Sequence, residues 1–228
     1  MVHVTWGIVI ACGKDEQIAP EVDTPFLNLG SKPVLTYSLG IYEQCQDVSG
    51  VVVVVNKDRI ESVLGMAQMF GFSKVQKIVA GGSSRQTSVT NGLKALEEEV
   101  SIVSIHDSSR PCITTGLLSE TIKVAKRYGS GVAATELDDA IKDVEKGLSV
   151  KKTVSGGALW LAQSPQTFRR DLLQKGYATA GKKKVSVQDD SAAVELVGGE
   201  VRLVPVGFVN IKVKTANDFN LAMSLLKL

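Results

Sequence analysis

Two short stretches of this chain combine residue types able to handle phosphate. Residues 103–111 read Val-Ser-Ile-His-Asp-Ser-Ser-Arg-Pro: β-branched and apolar at first, then polar, then closed by a proline that cannot continue a strand ladder. The pattern predicts a covered strand that stops at about Ile105, leaving Asp107 and Arg110 beyond its end. In open parallel sheets ligands bind past the carboxyl ends of the strands, so Asp107 is placed to hold a hydrated metal ion and its phosphate cargo. The competing reading is that Asp107 and Ser109 simply cap a turn or the next helix. The second stretch, Gly81-Gly82-Ser83-Ser84-Arg85-Gln86-Thr87-Ser88, follows a strand-like run and precedes a helix-like one. Paired glycines let a backbone approach a ligand closely, a helix start offers free amides, and Arg85 and Ser88 share a helical stripe with Gly92. These are parts of a phosphate or nucleotide cradle. The first loop, Ala11-Cys12-Gly13-Lys14-Asp15-Glu16, has neither the dinucleotide glycine fingerprint nor a Gly-Lys-Ser/Thr phosphate loop, which disfavours hydride transfer and P-loop hydrolysis.

The elements that must position these residues alternate. Strands are predicted at 5–11, 51–55, 75–80, 101–105 and 131–135, and helices at 33–46, 117–128, 169–180 and 189–197. A further helix after Asp58, its expected cap, carries Ile60, Val63, Leu64 and Ala67 inward and ends at Gly71. Another after the glycine pair turns Val89, Leu93 and Leu96 inward. The Val51–Val55 run is continuously apolar, as a parallel strand covered on both faces requires. Thr215 with Asp218 forms a capping box before a C-terminal helix, and 201–206 reads as one more strand. Regular βαβ alternation over the first 130 residues argues for a mostly parallel sheet flanked by helices. Around 136–165 the pattern gives way to polar turns, read as a protruding β-arm inserted in one domain spanning 1–228.

The totals exclude other classes. The 228 residues are 44% apolar and 22% charged, enough for a core. With 26 basic against 24 acidic residues the net charge is +2, no footprint for nucleic acid or a membrane surface. Three cysteines, Cys12, Cys45 and Cys112, show neither disulfide nor zinc spacing, so a reducing cytoplasm is expected. No run suggests a signal peptide or a membrane span.

Taken together, Gly81-Gly82-x-x-Arg85-x-x-Ser88-Val89, His106-Asp107-Ser108-Ser109-Arg110-Pro111, Asp139-Ala140-Ile141-Lys142, Ser164-Pro165-Gln166 and Asn210-Ile211-Lys212-Val213 resemble, in order and spacing, the 2-C-methyl-D-erythritol 4-phosphate cytidylyltransferase family. The resemblance covers nearly the whole chain. It implies a Rossmann-like nucleotidyltransferase, a homodimer built through the β-arm, that uses CTP and Mg²⁺ on a small polyol phosphate in isoprenoid synthesis. Position by position it implies a metal-associated carboxylate at Asp107. Nucleotide contacts fall to Gly13, Gly81, Gly82, Arg85, Ser88, Ser108 and Arg110, and Lys212 faces the reacting phosphates. Acceptor contacts fall to Asp139, Lys142, Ser164 and Asp189, although Asp139, Lys142 and Asp189 also read as plain arm or turn residues.

The chain departs from the family pattern in its first loop. Gln17 and Thr24 stand where the family carries basic residues, and Asp15 and Glu16 put carboxylates where a triphosphate is expected. Each preorganised charge donor is worth roughly 10²–10³ in rate, so two missing ones matter. Lys14, the remaining cation of that loop, is expected to take over part of the triphosphate contact as a catalytic residue. The alternatives are transfer to another polyol phosphate such as ribitol 5-phosphate, and a weak or inactive nucleotide-binding relative.

Overall fold

The computed structural model describes residues 3–13, 16–154 and 159–228. Lys14 and Asp15 lie outside the described residues. Strand β1 (Val4–Ala11) leads into two small hairpins, β2 (Gln17–Ala19) with β3 (Val22–Asp23) and β4 (Asn28–Leu29) with β5 (Lys32–Pro33), and then into α1 (Val34–Gln44). Regular alternation follows: β6 (Gly50–Val55), α2 (Ile60–Phe70), β7 (Val75–Ala80), α3 (Arg85–Lys94), β8 (Val100–Asp107), α4 (Thr115–Tyr128) and β9 (Ser130–Glu136). The arm hairpin is β10 (Lys142–Val144) with β11 (Val150–Thr153). The chain closes with β12 (Trp160–Arg169), α5 (Arg170–Lys183), α6 (Asp190–Glu195), β13 (Leu203–Pro205) and α7 (Ala216–Leu226).

Seven strands form the central sheet in the order β13-β9-β12-β8-β1-β6-β7. β8, β1, β6 and β7 run parallel, as does β13 with β9, while β12 is antiparallel to both β8 and β9. This is the mostly parallel, helix-flanked, Rossmann-like arrangement expected. Strand pleating sorts the core onto two faces. Ile8, Ile10, Val52 and Val54 pack with Val89, Leu93 and Leu173 under α3 and α5, whereas Val9, Val51, Val53 and Val55 pack with Leu35, Leu39, Val63, Leu118 and Ile122 under α1, α2 and α4. Fully burying an aliphatic side chain of this size contributes roughly 1.5–3 kcal/mol of transfer free energy, so these two layers dominate the fold's stability.

Four expectations need correction. β8 runs through His106 to Asp107 instead of stopping at Ile105, because a neutral, hydrogen-bonded histidine is tolerated in the covered interior. The arm is shorter than 136–165: its strands lie within 142–153, and residues 160–165 belong to β12 of the central sheet, Trp160, Leu161 and Ala162 pairing with β9. Asp58 makes no cap for α2, which follows directly on a 3₁₀ turn over Lys57–Arg59. Leu64 faces solvent and Met66 is buried in its place, so the inward stripe of α2 runs through Val63, Met66 and Ala67.

Candidate active site

The carboxyl ends of β1, β7 and β8 meet on one edge of the sheet. After β7 the chain turns through Gly81 and Gly82 into α3, whose cap is Ser84, its Oγ accepting the Thr87 amide at 3.1 Å. A Cβ at Gly81 would sit 2.4 Å from Cys12 Sγ, and one at Gly82 would sit 2.3 Å from Thr87 Cγ2. Only glycine lets this turn close against the first loop. Ser88 is spent inside the turn: its Oγ accepts the Gly82 amide at 3.0 Å and donates to the Ser84 carbonyl at 3.0 Å. It shapes the cradle and does not border the cavity.

The turn aims Arg85 at the end of β8. Its Nε donates to Asp107 Oδ1 at 3.2 Å and its Nη2 to Asp190 Oδ2 at 2.6 Å, while the Tyr177 hydroxyl donates to Asp190 Oδ1. Lys212 Nζ reaches the other Asp107 oxygen at 3.0 Å and Glu16 Oε1 at 3.2 Å. Burial alone would raise the Asp107 carboxyl, but Arg85, then Lys212 and Arg110, hold it well below the usual carboxylate range. The same contacts raise Arg85 and Lys212 against the lowering effect of their own burial. The result is an ionised carboxylate fixed between two cations in a water-poor corner.

A hydrogen-bonded chain fixes that carboxylate from behind. The Asp107 amide donates to Ser164 Oγ at 3.0 Å, and Ser164 Oγ lies 3.1 Å from His106 Nδ1. His106 Nε2 is 3.3 Å from the Arg110 carbonyl, which can only accept, so the proton is assigned to Nε2 and Nδ1 accepts from Ser164. Burial pushes this imidazole down to about 3, which keeps it neutral. Arg110 Nη1 donates to the Asn210 carbonyl at 2.7 Å, and Asn210 Nδ2 to the Ser164 carbonyl at 2.9 Å. The Val213 amide donates to the Ser109 carbonyl at 2.8 Å, which places Lys212 over Asp107.

Two of the cavities that border this cluster share Arg85. One, of about 270 Å³, is lined by Ile10, Cys12, Gly13, Glu16, Ser83, Ser84 and Arg85. The other, of about 310 Å³, is polar, lined by Arg85, Asp107, Arg110, Ser164, Gln166, Asp189, Lys212, Lys214 and their neighbours. Of the residues expected from sequence, Gly13, Arg85, Asp107, Arg110, Ser164, Asp189 and Lys212 therefore come together. Gly81, Gly82 and Ser88 build the turn behind them. Ser108 points inward, its Oγ donating to Glu16 Oε2 at 2.9 Å. Asp189 is also the cap of α6, accepting the Ala192 amide at 2.9 Å and the Gln166 amide NH₂ at 2.9 Å. Asp139 and Lys142 are not brought in: they lie toward the arm, where Lys142 Nζ donates to Thr153 Oγ1 at 2.8 Å, and neither borders the two cavities.

Glu16, among the described residues of the first loop, differs from its expected role. Glu16 is 2% exposed and turned into the protein instead of lining an open triphosphate channel. Gln17 opens β2 and donates to Asp23 Oδ1 at 3.1 Å, and Thr24 is wholly buried. Sequence reasoning missed Asp190, Tyr177 and the inward role of Glu16. The adjacent pair Asp189-Asp190 was a visible signal, since successive residues at a helix start point different ways, one to the cap and one to the interior.

The family model described as 2-C-methyl-D-erythritol 4-phosphate cytidylyltransferase matches residues 5–228. A curated relative of that name from Alkaliphilus oremlandii is 33% identical over 96% of this chain and 94% of its own. A crystal structure of 4-diphosphocytidyl-2C-methyl-D-erythritol synthase from Anaerococcus prevotii matches with a TM-score of 0.86 at 24% identity, covering 99% of this chain and 97% of that one, a likeness of fold. The Thermus thermophilus 2-C-methyl-D-erythritol 4-phosphate cytidylyltransferase superposes with a TM-score of 0.77 at 26% identity, covering 97% and 98% of the two chains.

Proposed function

Because the chain belongs to the 2-C-methyl-D-erythritol 4-phosphate cytidylyltransferase family, we propose that it transfers CMP from CTP to 2-C-methyl-D-erythritol 4-phosphate and releases pyrophosphate. A phosphate oxygen of the acceptor attacks the α-phosphorus of CTP, a new P–O bond forms, and the bond to the β-phosphate breaks. Two anions must meet, so positioning and cations carry the catalysis. The observation that supports this reading best is the Asp107 carboxylate held ionised between Arg85 and Lys212 where β8 ends.

In this reading the glycine turn and Gly13 cradle the nucleotide, Lys212 and Arg110 offset the charge gathering on the phosphates, and Ser164 and Asp189 border the acceptor side. Asp139 and Lys142 would reach an acceptor only from the arm of a second copy, which accords with a homodimer. Among the described residues no group of three His, Cys, Asp or Glu side chains converges on one point. The Asp107 carboxylate bordering the polar cavity fits Mg²⁺, which keeps most of its waters and is commonly held by one or two carboxylates plus substrate phosphates, and Asp107 would hold it. When bound with CTP, Mg²⁺ supplies charge neutralisation at the phosphates. Three buried thiols, Cys12, Cys45 and Cys112, suit a reducing cytoplasm, and among the described residues no helix is long and apolar enough to cross a membrane.

The test is Mg²⁺-dependent pyrophosphate release from CTP with methylerythritol phosphate, beside ribitol 5-phosphate as competing acceptor and an Asp107→Ala control. Release with methylerythritol phosphate that drops at least a hundredfold in the control is expected. No release from the folded wild-type protein, or full activity without Asp107, refutes the reading.

A further inference from the structure

Glu16 is a buried carboxylate with two donors on each of its oxygens, which fills its lone-pair sites. Its Oε2 accepts the Ser109 amide and the Ser108 hydroxyl, each at 2.9 Å, and its Oε1 accepts the Ser109 hydroxyl at 2.9 Å and the Lys212 ammonium at 3.2 Å. An amide at a tight turn, two hydroxyls and an ammonium, drawn from two distant segments, form the kind of donor set that receives phosphate oxygens. The carboxylate that fills it still borders the 270 Å³ cavity beside Gly13 and Arg85. We propose that Glu16 is a specificity-determining residue whose carboxylate occupies this donor set in place of a phosphate group, so that a polyphosphate gains Lys212 and the Ser108–Ser109 donors only by displacing it.

The surroundings make the competition effective. Arg85, Arg110 and Lys212 are balanced by Asp107, Asp190 and Glu16 itself, so the cluster carries no surplus positive charge to draw in a free polyphosphate. Removing the Glu16 charge frees the Lys212 ammonium from one of its two carboxylates and leaves that surplus. The nature of the phosphate's source, a cytidine nucleotide, rests on the function proposed above; the competition for donors does not.

Calorimetric titration of the full chain with sodium tripolyphosphate in magnesium-free buffer tests it, comparing wild type with Glu16→Gln. Binding at least tenfold tighter in Glu16→Gln is expected; equal or weaker binding overturns the proposal and makes Glu16 a structural brace. A parallel CMP titration separates the two conclusions. Absence of CMP binding in both proteins sinks the cytidine reading and leaves the tripolyphosphate comparison to decide on Glu16. If Glu16→Gln does not fold, wild type alone decides, titrated with sulfate, a dianion throughout, at pH 8.5 and 5.5. Burial raises the Glu16 carboxyl to about 7, so it is neutral at the lower pH. Of the groups facing it, Lys212, Arg85 and Cys12 are shifted upward, Asp107 and His106 lie far below the window, and Arg110, though lowered by burial, keeps its charge as a guanidinium. At least fivefold tighter sulfate binding at pH 5.5 is expected, and unchanged affinity overturns the proposal.

Discussion

Arg85 Nε donates to Asp107 Oδ1 at 3.2 Å, tying the first turn of α3 to the last residue of β8 across the mouth of the site. The same guanidinium neutralises Asp190, whose side chain is wholly buried. Removing one partner of a buried pair leaves the other charged and unpaired, which typically costs about 3–5 kcal/mol. Arg85→Gln is therefore expected to lose stability on that scale in urea unfolding and to lower pyrophosphate release by roughly 10²–10³ in the fraction that remains folded. A variant as stable as wild type would mean that Asp190 is accommodated without Arg85.

Glu16 and His106 set opposing pH slopes. Burial raises Glu16 from 4.5 to about 7, so between those values the folded state holds the extra proton and stability falls as pH rises. Burial lowers His106 from 6.5 to about 3, so there the unfolded state holds the extra proton and stability rises with pH. From pH 5 to 6.5 the two contributions oppose each other and wild type should be nearly flat. Glu16→Gln exposes the histidine slope, a gain of about 1.4 kcal/mol per pH unit over that interval at most. Urea midpoints at several pH values measure it; a variant as flat as wild type would show that His106 does not carry the slope.

The sheet was largely legible because continuous apolar runs such as Val51–Val55 and the capping signals of Thr215 and Asp218 are local. The antiparallel strand β12 was not, because Gln163, Ser164 and Gln166 interrupt its apolar pattern, and those polar groups are satisfied only by distant partners such as Asn210, His106 and Asp189. The candidate site divides in the same way. Asp107 and Arg85 stood out as chemistry near strand ends and Lys212 came only with the family resemblance, whereas the direction of Glu16 depends on the hydroxyls of Ser108 and Ser109, some ninety residues away in sequence. A carboxylate in a loop gives no local sign of whether it faces solvent or a buried donor set.

Gly81 tests the close approach of the cradle to the first loop. With a Cβ there only 2.4 Å from Cys12 Sγ and 3.0 Å from Ser88 Oγ, Gly81→Ala must push the two segments apart. Overpacking of this kind typically costs about 1–3 kcal/mol. The larger effect is expected on nucleotide binding, read as a rise in KM for CTP of at least fivefold with a smaller change in kcat. A Cys12→Ala exchange in the same protein should restore part of it, because it removes the sulfur that the new methyl group meets. No recovery in the double variant would place the strain elsewhere in the turn.

The arm provides the last test. An isolated two-stranded hairpin is marginal in water, yet β10, β11 and the turn between them present Val144, Val150 and Leu148 to solvent, Leu148 at 83% exposure. Leu161 and Val209, both exposed apolar residues, border a cavity beside Arg110 and Lys212 and offer a surface of matching character. Pairing of two copies through the arms would cover both patches and bring Lys142 and Asp139 of one copy toward the site of the other. Sedimentation is expected to give a dimer for wild type and a monomer for Leu148→Ser with Val150→Ser. The monomer should retain CTP binding and lose at least tenfold in affinity for the polyol phosphate if, as proposed, a second copy completes the acceptor side. A monomeric wild type, or a dimer insensitive to both serines, would remove the arm from the assembly.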